Sequence, residues 1–108
     1  MVHRVAVIPG DGVGPEVVEQ ACLVLEAVGH LVKEPLELEV LELGGERYLR
    51  DGVILPDDTL AELRAADAIL LGAIGAPGVK PGLIERGLLL RLRFELGLRI
   101  NLRRCPLA

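Results

Sequence analysis

A β-branched apolar run, HRVAVIP at residues 3–9, passes directly into the glycine loop GDGVGPEV at residues 10–17, and a helical pattern follows. The run ends at Pro9 and Gly10, as a buried strand does. Pro15 suits a first helical turn, where its missing N–H is not needed, and Glu16 suits the positive end of the helix. Val17, Ala21, Val24, Leu25 and Val28 recur at helical spacing and predict a core face that stops at Gly29. Strand, glycine loop and helix in immediate succession point to a layered α/β sheet.

The rest of the chain continues the alternation. LELEVLEL, residues 36–43, alternates apolar and acidic side chains with period two, which predicts a half-exposed strand near a sheet edge, ended by Gly44 and Gly45. A short amphipathic piece runs to the Asp51-Gly52 turn, and PDDTLAELRAAD at 56–67 carries the capping residues of a short helix. AILLGAIG at 68–75 reads as a buried strand that enters the loop GAPGVKPG. A helix over RGLLLRLRFEL and a last strand at INLR complete the order β-α-β-(short α)-α-β-loop-α-β.

Composition narrows the functional classes. The 108 residues are 51% apolar and 26% charged, a balance for a globular core and not for a disordered chain. Tyr48 and Phe94 are the only aromatic residues, so no platform for stacking bases exists, and a net charge of −4 argues against coating a nucleic acid. Residues 86–104 are nonetheless cationic, with Arg86, Arg91, Arg93, Arg99, Arg103 and Arg104 against Glu95 alone, and the expected partner is a small anion. Cys22 and Cys105 form neither a disulfide framework nor a zinc motif, which suggests a reducing cytoplasm. No signal peptide and no membrane-spanning run is legible.

The glycine loop is not the usual dinucleotide fingerprint. In GxGxxG the last glycine is replaced by Pro15 in one frame and Val17 in the other, so an ordinary Rossmann site is excluded, and no GK[ST] phosphate loop is present. Two readings of Gly10, Gly12 and Gly14 stay open: a tight strand-to-helix turn, or a close approach of a ligand to backbone amides at the helix end.

The arginine-leucine segment also leaves two readings. At 100° per residue Leu88, Leu92 and Leu96 form a core stripe, Arg86, Leu90 and Arg93 an adjoining face, and Leu89 lies between them. Arg91 and Glu95 point the other way and form a weak pair four residues apart. Leu89 and Arg93 are placed to address one ligand, an alkyl branch beside a carboxylate; equally, the arginines could snorkel from a core edge.

VAVIPGDGVGPEV at the start, ILLGAIG after the third strand and RGLLLRLRFEL with INLR at the end resemble, in order, the N-terminal portion of the metal-dependent β-decarboxylating dehydrogenases, and within them the isopropylmalate branch. The resemblance implies an α/β fold with a partial layered sheet of the isocitrate/isopropylmalate dehydrogenase type. Residues 1–108 would be the N-terminal part of one dehydrogenase domain, apparently truncated. It implies oxidation of 3-isopropylmalate by NAD and loss of carbon dioxide with magnesium or manganese, in leucine biosynthesis, by a cytoplasmic homodimer that binds no nucleic acid or membrane. It places Leu89, Arg93 and Arg103 at the substrate, and Val13, Gly72, Ala73, Ile74, Gly75 and Glu85 at the cofactor; it gives Arg86 no fixed role. The catalytic tyrosine and lysine, the metal-binding aspartates and the adenine-binding loop of relatives come later than residue 108, so no catalytic or metal-binding residue is assigned, and a chain inactive alone is expected. The alternatives are a tartrate, isocitrate or homoisocitrate relative, a non-catalytic anion-binding module, and a flavodoxin-like signalling domain built around an acidic pocket.

Overall fold

The computed structural model describes residues 3–98. Three parallel strands, β1 (His3–Ile8), β2 (Leu36–Val40) and β3 (Ala68–Leu71), form one sheet in the order β2-β1-β3. Helix α1 (Gly14–Val32) links β1 to β2, and α2 (Gly45–Asp51) and α3 (Asp57–Ala65) link β2 to β3. After β3 and the loop that leaves it come a π-helical segment, Glu85–Leu90, and α4 (Arg91–Glu95). The α/β layering and the order of the first seven elements agree with the sequence patterns; the expected strand at INLR lies outside the described residues.

β1 is the middle strand, and its period-two alternation divides the interior. Val5 and Val7 pack with Val18 of α1 on one face of the sheet. Ala6 and Ile8 join Leu43, Leu55, Leu60, Leu63, Ile84, Leu88 and Leu92 on the other. A helix therefore covers each face, as parallel sheets require.

Three expectations are corrected here. α1 runs three residues beyond Gly29 to Val32, where Lys33 in the left-handed region closes the helix and the Glu34 amide donates to the Gly29 carbonyl. Its predicted core face holds only in part: Ala21 and Leu25 are half-buried, but Val17, Val24 and Val28 are 60%, 61% and 44% exposed, while Gly14 and Val18 are buried and Cys22 packs beside them. Gly14 seats the first turn against backbone, and that contact turns the stripe 14-18-22 toward the sheet. Finally, β3 is at an edge of the described sheet and only its middle residues are half-buried, so it is not the fully covered strand its apolar run suggested. β2 is an edge strand as expected, though it ends at Val40 and not at Leu43. Among the described residues no helix is long and apolar enough to cross a membrane.

Candidate functional site

The loop from β1 to α1 packs against the chain leaving β3. The Asp11 amide donates to the Ala73 carbonyl at 2.7 Å, the Gly72 amide to the Ile8 carbonyl at 2.8 Å, and the Gly14 amide to the Asp11 carbonyl at 2.8 Å. A Cβ on Gly10 would run into the Ala73 carbonyl, and one on Gly14 into the Pro9 carbonyl. At these two positions glycine lets backbone meet backbone, which is the tight-turn reading of the loop. Gly12 and Gly75 are different, because a Cβ there meets nothing within 4 Å. With Val13, 63% exposed, and the exposed Ala73 they form an open rim above the sheet's carboxyl end. Ile74 sends its side chain into the core, so only its backbone faces this rim.

Beneath the rim lies Asp11, 3% exposed. Its Oδ2 accepts hydrogen bonds from the amides of Gly45 at 2.7 Å and Gly75 at 2.9 Å, and its Oδ1 accepts from Glu46 at 2.9 Å. One carboxylate thereby ties the glycine loop to the first turn of α2 and to the chain beyond β3. Burial is the largest single influence on its pKa and raises it, but the three amide donors together outweigh burial and hold the carboxyl below its ordinary value. As the one acidic residue of the glycine loop before the helix, Asp11 is by itself a poor phosphorylation pocket. Its three partners are backbone amides, which also disfavours the acidic pocket of a signalling domain. The available signal was an acidic residue enclosed by glycines at a strand end, facing the pair Gly44-Gly45.

A pH dependence follows. Asp11 has its folded-state pKa depressed, so its stabilising contribution is complete above the unfolded-state value of about 4 and is lost as pH falls through the lower folded value. Urea midpoints for the chain and for Asp11→Asn are expected to differ most above about pH 5 and to converge in acid; a difference that grows toward acid would contradict the direction.

The helical residues form a second group. A π turn accommodates about one residue more than an α turn, so side chains four apart fall nearly in line. Ile84, Leu88 and Leu92, 1%, 0% and 5% exposed, make the buried column. Glu85, Leu89 and Arg93 make the next column, half-buried to exposed, and Arg86, Leu90 and Phe94 make a solvent-facing one. The expected face shared by Arg86 and Arg93 is thus corrected: π winding separates them, while Leu89 and Arg93 remain together and Glu85 joins them. The expected Arg91–Glu95 pair is absent. Arg91 donates to the Leu55 carbonyl and to Asp57 Oδ1, both at 2.7 Å, and Glu95 pairs with Arg64 at 2.8 Å, so the two residues bind opposite ends of α3. Among the described residues no hydrogen bond joins the rim to the Glu85 column. Arg103 lies outside the described residues.

The two groups suit different ligand parts. The open rim, free of side chains at Gly12 and Gly75, fits a flat or extended group lying along backbone. No group of three or more His, Cys, Asp or Glu among the described residues fits a metal ion.

A sequence model of the isocitrate/isopropylmalate dehydrogenases matches residues 4–108. The chain is 54% identical over 101 residues to the 3-isopropylmalate dehydrogenase of Bifidobacterium longum subsp. infantis, covering 94% of this chain and 29% of that one. To the enzyme of the same name from Corynebacterium efficiens it is 56% identical over 101 residues, covering 93% and 28%. Among solved structures, the apo β-decarboxylating dehydrogenase of Thermococcus kodakarensis superimposes with a TM-score of 0.67 at 41% identity, covering 89% of this chain and 27% of that one. The isocitrate dehydrogenase of Methylococcus capsulatus gives 0.70 at 31% identity, covering 89% and 26%. The chain therefore spans less than a third of the length of these relatives.

Proposed function

Because this chain belongs to the isocitrate/isopropylmalate dehydrogenase family, we propose that it supplies the N-terminal part of an NAD-dependent oxidative decarboxylase of 3-isopropylmalate. What supports the substrate reading is the helical register that sets half-buried Leu89 and exposed Arg93 four residues apart, an apolar side chain and a guanidinium on neighbouring turns. A guanidinium holds a carboxylate through two parallel hydrogen bonds, and a leucine beside it favours an alkyl branch over the polar groups of isocitrate or tartrate. Arg103 would add a second carboxylate contact. Arginine does not titrate usefully, so its part is to bind and orient.

The rim of Gly12, Val13, Ala73 and Gly75 would hold the nicotinamide end of NAD, with the Gly72 and Ile74 backbone behind it and Glu85 at the ribose. Held there, NAD would supply the acceptor for the hydride on the substrate's hydroxyl-bearing carbon. The described residues do not fit magnesium or manganese. Leucine biosynthesis, a cytoplasmic setting and a homodimer belong to the same reading.

Calorimetric titration of the chain with 3-isopropylmalate and with malate tests it. Arg93→Ala is expected to weaken both ligands about 10- to 100-fold, the loss of hydrogen bonds to a charged group. Leu89→Ala is expected to weaken isopropylmalate about tenfold and malate far less. Arg86→Ala, on the solvent column, serves as the control and should change neither by more than about twofold. Arg91 is unsuitable as a control because it ties α4 to α3. Equal losses at Arg86 and Arg93 would sink the substrate reading.

A further inference from the structure

We infer that Asp11 is a positioning residue for the cofactor-facing rim: it locks the peptide between Ile74 and Gly75 with its N–H inward, and so fixes the Ile74 carbonyl as an outward hydrogen-bond acceptor. The inference rests on the rim being the nicotinamide site proposed above. The Gly75 amide donates to the buried Asp11 Oδ2 at 2.9 Å, and the chain contains no cis peptide among the described residues. In a trans peptide N–H and C=O point opposite ways, so the carbonyl of Ile74 is directed away from Asp11.

The lock is built from several independent parts. The Asp11 backbone amide holds the neighbouring Ala73 carbonyl at 2.7 Å, so this loop is gripped at two points two residues apart. The same Oδ2 that takes the Gly75 amide takes the Gly45 amide, and Oδ1 takes that of Glu46, so both carboxylate oxygens are engaged and the group is held in place. Close approach is provided by Gly44, where a Cβ would stand 2.8 Å from Oδ2, in a backbone region with φ of +140° that other residues avoid. An outward carbonyl with no side chain at Gly75 to shield it selects a ligand that brings an N–H donor. The carboxamide of a nicotinamide carries one, whereas a carboxylate in its place repels the carbonyl.

Two readouts on the 108-residue chain test the inference. Amide hydrogen exchange is expected to show Gly45, Glu46 and Gly75 protected in the parent. In Asp11→Ala all three should exchange about 10- to 100-fold faster while Gly72, bonded to Ile8, keeps its rate. In Asp11→Asn, which retains one carbonyl oxygen, Glu46 should accelerate while Gly75 stays slow. The second readout is the preference for NAD over its nicotinic acid counterpart, followed by shifts of the Gly12, Val13 and Gly75 amides. The parent and Asp11→Asn are expected to prefer NAD about tenfold, the worth of one discriminating hydrogen bond, and Asp11→Ala to lose the preference. A residue that merely stabilised the fold would weaken both dinucleotides alike and leave the preference intact.

Retained preference in Asp11→Ala, or equal binding of the two dinucleotides by the parent, overturns the inference and leaves the cofactor reading standing. Failure of the parent to bind either dinucleotide overturns the cofactor reading and this inference with it. If Asp11→Ala loses protection along β1 as well, Asp11→Asn decides: uniform acceleration of Glu46, Gly75 and Gly72 overturns the inference, and acceleration of Glu46 alone with the preference kept supports it.

Discussion

Gly10→Ala is expected to lower the unfolding free energy by roughly 4 kcal/mol, a backbone collision added to an unfavourable φ. The new Cβ would enter the Ala73 carbonyl, at a residue whose φ of +80° already suits only glycine well. That carbonyl cannot withdraw, because it accepts the Asp11 amide and follows Gly72, whose own amide is bonded to Ile8 at the end of β1. Gly12→Ala is the matched comparison. Its φ is +57° but a Cβ there meets nothing within 4 Å, so only the left-handed strain of about 1 kcal/mol applies. Urea unfolding of the two variants measures the difference. Similar losses would mean that the 10–14 loop does not pack on the 72–75 chain.

Leu88→Ala is expected to cost roughly 3 kcal/mol, since the side chain is 0% exposed and packs with core residues of β1, α3 and α4. Ile84→Ala should cost about the same, because π winding brings positions 84, 88 and 92 into one buried column. Regular α winding would carry Ile84 well away from the line of Leu92. Leu89→Ala, half-buried, should cost about 1 kcal/mol in the same urea series, leaving its larger effect for ligand binding. A loss at Leu89 equal to that at Leu88 would show that the columns are misassigned.

The Gly10 and Leu88 cases differ in how much the sequence disclosed. Leu88 and Leu92 were legible as core because an i, i+4 leucine spacing survives in both α and π winding. The separation of Arg86 from Arg93 was not legible, since no local pattern announces a π segment and the difference accumulates over two turns. The glycine loop was legible as a strand-to-helix turn and as a departure from GxGxxG. Which of its glycines face backbone and which face open space depends on where the chain after β3 lies, more than 60 residues away in the sequence, as the Gly75–Asp11 separation of 64 shows.

By itself the sequence determined the order of elements, because strand alternation, helical spacing and glycine-proline punctuation are local preferences written over five to twenty residues. Its three ordered motifs also determined the family. The tertiary structure alone decided which face of α1 is covered, and it chose Val18 and Cys22 over Val17, Val24 and Val28 because the seating of Gly14 on backbone sets the helix rotation. It alone decided that Arg91 and Glu95 each bind α3 in place of one another, since a partner across the fold with better geometry displaces a weak pair along one helix. It alone made Asp11 the tie between three segments, because its hydrogen-bond partners stand 34, 35 and 64 residues away, and only the packed sheet brings their amides to one carboxylate.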